Sequence, residues 1–142
     1  MNDRVQFEAM IEGTRQLFEA KSAARDAAIA QSRTVIGHCA NAIRAVHRRE
    51  WDVARERLET ARQAADEMRR AVADYPDLYH SGYTQDALKE VAEAFATYAL
   101  VPGETLPLPD ALDIEPATYL NGLAEAASEL RRHILDIIRK GH

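Results

Sequence analysis

The sequence predicts an all-α protein, an antiparallel bundle of long helices that associates with further copies of itself. Three observations predict it. The 142 residues are dominated by Ala, Leu, Glu and Arg, all good helix formers. No proline occurs before Pro76, so the first half has few breakers. Apolar residues recur at alternating three- and four-residue steps, and no strand-like runs alternate with them.

Four helices follow, near residues 4–48, 51–74, 84–101 and 116–140. The first can bend at Gly13 or Gly37, and its second half aligns Ser32, Val35, Cys39, Ala42 and Val46. The second keeps one seam throughout, through Trp51, Ala54, Leu58, Ala61, Ala65, Met68, Val72 and Tyr75. It ends at Tyr75 because the residue before a proline avoids helical geometry. The third helix carries Leu88, Val91, Phe95 and Tyr98. A long loop, 102–115, then leads to Pro116, which suits a first helical turn. On the fourth helix the apolar line is Leu120, Leu123, Ala127, Leu130, Ile134 and Ile137, and Gly141 is placed to cap it. These alanine-rich seams bury little area per residue, so long helices of this kind want extra partners. The expected form is a homo-oligomer.

A net charge of −5 argues against a protein that coats nucleic acid through bulk positive charge, though it permits a local basic face. The lone Cys39 has no intrachain disulfide partner and falls on a seam, as a small core residue would. No apolar run approaches membrane-spanning length, and the N-terminus has no apolar signal region. The expected location is the cytoplasm, without a membrane partner.

The acids are the informative feature. Asp86, Glu90 and Glu93 on the third helix, and Glu125, Glu129 and Asp136 on the fourth, form stripes that helical phase places opposite the apolar seams. Two such stripes side by side could hold a divalent cation through oxygen ligands; the alternative is a pair of solvated faces. There is no Gly-rich phosphate loop and no Cys/His set with zinc spacing. Arg44, His47, Arg48 and Arg49 cluster at the first turn, as helix-dipole partners or as phosphate contacts.

Taken in order, these segments resemble the translin family, in particular its archaeal and bacterial members. Ser32 to Ile36 followed by Ala42 to Arg48 is similar to the end of that family's first helix, which reads Ala-Leu-His-Arg-Gly. Tyr75 to Leu88 is similar to its inter-helix connector, and Lys89 to Ala94 to its Gln-Glu-Tyr-Val-Glu-Ala segment. Tyr119 to Arg132 resembles Tyr-Leu-x-Gly-x-x-Asp-x-x-Gly-Glu-Leu-x-Arg. The resemblance implies hollow oligomers that bind single-stranded RNA, and also single-stranded DNA. Members similar to translin-associated factor X cleave RNA with acids that hold Mg²⁺, or Mn²⁺ in its place. Carried over, those acids are Glu90, Glu93, Glu125 and Glu129, with Arg33, Arg44, His47, Arg48 and Arg132 on the nucleic acid. The implied function is a Mg²⁺-dependent endoribonuclease; the alternative is a non-catalytic RNA- or DNA-binding helical oligomer. Three departures stand out. Glu125 replaces the family's Asp, Arg49 replaces a glycine, and the single domain over 1–142 lacks the family's C-terminal helices.

Overall fold

The computed structural model describes residues 2–141, and every regular element among them is helical. The order is α1 (Asp3–His47), α2 (Trp51–Ala71), α3 (Pro76–Tyr79), α4 (Gly82–Leu100), α5 (Pro109–Leu112) and α6 (Pro116–Arg139). The four long helices match the predicted ones. The two four-residue helices lie inside the segments expected as connector and loop, each beginning with a proline in its first turn. No helix among the described residues is long and apolar enough to cross a membrane.

α1 runs unbroken through Gly13 and Gly37, both of which face open space. Asn2 caps its start, the side chain accepting from Arg4 N–H at 3.1 Å. Its second half buries Ser32, Val35, Cys39, Ala42 and Val46, all on the predicted seam. α2 folds back against it, burying Ala54, Leu58, Ala61, Ala65, Met68 and Val72. These two seams bury each other within one chain, so they are not the surfaces open to a second copy. What stays exposed is the first half of α1, where Phe7, Leu17 and Phe18 are 61%, 71% and 69% accessible.

α4 is the central helix, packed against α1, α2 and α6. It is covered on both sides, which is why Glu93 is buried alongside Leu88, Val91, Ala92, Ala96 and Thr97. This corrects the expectation that the acids of this helix lie opposite the core.

α6 corrects the second expectation. Of the predicted line, Leu120, Ala127 and Ile134 are exposed and Leu123, Leu130 and Ile137 partly buried, whereas Tyr119, Gly122 and Ala126 are buried, followed by the partly buried Glu129, His133 and Asp136. The inward face is turned from the predicted line toward the line one residue earlier, by less than the ~100° that separates neighbouring residues. Gly122 explains the phase. A Cβ there would sit 2.6 Å from the Lys89 carbonyl oxygen and 2.7 Å from Ala92 Cβ. With no side chain at Gly122 and a methyl at Ala126, α6 lies directly on the α4 backbone. The helix entry fixes the same rotation: Tyr119 donates to the Pro107 carbonyl at 2.7 Å, and Thr118 to Gln85 Oε1 at 2.7 Å. Arg69 holds the preceding loop to α2 by donating to the carbonyls of Leu112 and Asp113 at 2.9 and 2.8 Å.

Candidate metal centre

The close α4–α6 crossing sets the acids face to face. Glu90 and Glu93, three residues apart on α4, share one side of the helix. Glu125 stands one turn beyond Gly122 on α6 and reaches the same point. One carboxylate oxygen from each of the three lies within 4.8 Å of the others. Glu93 is 7% exposed, Glu90 is half-buried, and the Glu125 side chain opens to solvent.

Burial, the neighbouring charge of Glu90 and contacts with Glu125 and Glu90 push the Glu93 carboxyl up to about 8. Lys89 answers part of the negative charge, its Nζ lying 3.1 Å from Glu125 Oε1 and 3.8 Å from Glu90 Oε1. Those carboxylates raise the Lys89 ammonium in turn, Glu125 most strongly. Beneath the cluster lies Cys39, whose thiol is raised by burial and by the charges of Glu90 and Glu93, so it stays protonated and inert.

This donor set fits a small divalent cation. All three ligands are hard oxygens, the kind Mg²⁺ and Mn²⁺ take. A buried carboxyl that like charges force to hold a proton near neutral pH is also one that a cation would relieve.

The fourth predicted acid, Glu129, lies a turn further along α6 and outside this group. Its Oε2 is 2.6 Å from His47 Nε2 at the end of α1. The His47 side chain is only 7% exposed, and its ring stacks toward His133 with centroids 6.2 Å apart. Asp86 and Asp136 also stay out of the cluster.

Among the predicted basic residues, His47 and Arg48 border a cleft of about 260 Å³ between the α1–α2 turn and the end of α6. Arg33, Arg44 and Arg132 are exposed and do not line it. Arg44 donates to Asn41 Oδ1 at 2.6 Å, and Arg48 to Glu50 Oε1 at 2.7 Å. Residues not predicted as site residues complete the cleft, chiefly Arg49, His133 and Lys140. His133 stands four residues after Glu129, and that spacing was the signal available to find it. Lys89 was also missed, although its place beside Glu90 is plain in the sequence.

No family model matches the chain, and no curated protein matches it either. Solved structures do. The crystal structure of AfC3PO superposes with a TM-score of 0.82 at 29% identity, over 93% of this chain and 68% of that one. The AfC3PO complex with duplex RNA gives 0.81 at 29% identity over the same shares. The crystal structure of apo-NeC3PO gives 0.74 at 23% identity, over 96% of this chain and 70% of that one. The matched span takes in the crossing of α4 and α6, and the chain shares its fold with these C3PO structures, a translin-like likeness.

Proposed function

We propose that this chain binds RNA and cleaves it as a Mg²⁺-dependent endoribonuclease, in the manner of translin-associated factor X. One observation carries the proposal: three carboxylates from two helices converge within 4.8 Å around a buried member that is short of positive charge. The RNA-binding half draws on the likeness to AfC3PO, whose structure in complex with duplex RNA is known. Because that strand is a duplex, the preference for single strands inferred from the sequence is a separate matter for measurement.

Glu90, Glu93 and Glu125 would hold the cation, which supplies Lewis acidity to a phosphoryl oxygen and orients a water. Lys89 stands at the mouth of the cluster, where its ammonium can meet the strand's charge once a cation takes over the carboxylates. Glu129 and His47 form a hydrogen-bonded acid–base pair a turn away, suited to orienting water or accepting its proton. The exposed apolar residues of α1, Phe7, Leu17 and Phe18 among them, make a homo-oligomer the expected working form.

The second reading is a non-catalytic RNA-binding oligomer. Lys89 favours it, since its ammonium already neutralises part of the cluster and competes with a divalent ion. Labelled single-stranded and duplex RNA, incubated with Mg²⁺ or with EDTA, decides between the two. Cleavage by the wild type in Mg²⁺, lost in EDTA and in E93Q, supports the nuclease. Binding without cleavage in Mg²⁺ and in Mn²⁺ leaves the second reading.

A further inference from the structure

We propose that the cleft between the α1–α2 turn and the end of α6 is a phosphate-binding site for a nucleic acid strand, with Arg49 as its anchoring cation. The proposal rests on the RNA-binding part of the reading above and not on cleavage.

The backbone of the turn carries the first argument. α1 ends in a Schellman turn: Glu50 N–H donates to the Ala45 carbonyl and Arg49 N–H to that of Val46, both at 2.9 Å. The residue at the left-handed position of such a turn is usually glycine, yet here it is Arg49 at φ 60°. A long side chain held in an unfavourable backbone region points to a function that needs it. The turns that follow α4 and α6 have Gly103 and Gly141 at their left-handed positions, and the non-glycine at the one after α5, Asp113 at φ 54°, has a side-chain partner, its Oδ2 lying 3.5 Å from Arg69 Nε.

The cleft's charges carry the second. Arg48 on its wall is paired with Glu50, and Asp136, its one acid, lies 3.4 Å from Arg139. Arg49 and Lys140 have no ion-pair partner among the described residues, which leaves two uncommitted cations on one small concavity. His47 adds a third feature. The side chain is more than nine-tenths buried, and its Nδ1 has no hydrogen-bond partner although Nε2 is bound to Glu129.

Position fits as well. His133 follows Glu125 by eight residues on α6, about 12 Å at 1.5 Å per residue. A strand rising ~3.4 Å per nucleotide covers that in three or four nucleotides. The phosphate bound in the cleft is then an internal diester of a longer strand or the terminal monoester of a short one.

The test is binding of a short labelled RNA in EDTA, with hydroxyl, 5′-phosphate or 3′-phosphate ends, to wild type, R49G, R49K and R70A. Arg70 is exposed on α2, away from the cleft. R49G is expected to keep or raise the Tm, because glycine suits the turn, while affinity falls about tenfold and the salt slope by about one. R49K should retain most of the affinity, and R70A all of it. A loss confined to one phosphorylated RNA assigns the cleft to that terminus; an equal loss for all three assigns it to an internal diester. R49G binding within about twofold of wild type, or R70A weakening as much as R49G, overturns the cleft while leaving RNA binding intact. A wild type that binds none of the RNAs overturns both.

Discussion

Replacing Glu93 with Gln probes the acidic cluster without RNA. In the unfolded chain a glutamate titrates near its ordinary value of 4.5; in the folded protein burial first, then Glu90 and Glu125, raise Glu93 to about 8. The sign follows from the folded value lying above the unfolded one. Below about pH 4.5 the carboxyl is neutral in both states and the fold keeps its full stability. As pH rises the unfolded chain ionises first, so stability declines until about pH 8, where the folded protein has lost its proton too. At ~1.4 kcal/mol per pH unit, the whole interval amounts to about 5 kcal/mol, and about 3 kcal/mol is lost by pH 7. Both are ceilings, because the three carboxylates titrate as a group and Lys89 shares their charge. Gln keeps the shape and drops the charge. In EDTA at about pH 8, E93Q is therefore expected to be more stable than wild type by about 1–3 kcal/mol, or several degrees in Tm. Near pH 4.5 the two should coincide. Mg²⁺ should reverse the order, raising the wild-type Tm and leaving that of E93Q in place. Thermal unfolding followed by circular dichroism, across pH and with or without Mg²⁺, reads all of this. An E93Q protein no more stable than wild type at about pH 8 in EDTA would refute the reasoning.

Three other outcomes are expected. E90Q and E125Q should abolish RNA cleavage while D86N and D136N leave most of it, scored on a gel with labelled RNA; equal cleavage across the panel would end the nuclease reading. G122A should destabilise by about 1–3 kcal/mol or more, since its Cβ would meet the Lys89 carbonyl oxygen at 2.6 Å, and a denaturant midpoint matching wild type would contradict the close crossing. Replacing Phe18, 69% exposed on the first half of α1, with Glu should lower the mass seen by light scattering toward that of one chain, and an unchanged mass would clear this surface of a role in assembly.

Much of the fold was legible because periodicity reports burial wherever large apolar side chains do the packing. The seams of α1 and α2 are of that kind: Val35, Val46, Leu58, Met68 and Val72 are all fully or nearly buried, as their spacing predicts. The start of α6 was legible for a local reason, since Pro116 marks it with chemistry that depends on the chain alone, whereas Pro76 opens α3 and α2 ends earlier, at Ala71. Arg49 was legible only as a residue standing where a glycine usually ends the helix; the left-handed backbone there is visible in the structure alone.

On α6 the same periodicity misled, and the reason bears on the site. A helix that packs through Gly122 and Ala126 gains contact by backbone approach, so beyond Tyr119 and Leu123 its interface carries little hydrophobic signal. The large residues Leu120 and Ile134 then dominate the pattern although they are 62% and 55% exposed. Reading them as the core turns the helix away from its inward face and sends Glu125 and Glu129 to solvent. The resemblance selected the same acids without saying which way they face. The crossing itself supplies that answer: only a helix with no side chain at Gly122 can lie close enough to α4 for Glu125 to join Glu90 and Glu93. Once there, Glu125 and Glu90 act together with burial to raise the Glu93 carboxyl to about 8. The small residues that hid the interface from the sequence are therefore what assembles the cluster, and a larger residue at Gly122 should disperse the three carboxylates as well as loosen the fold.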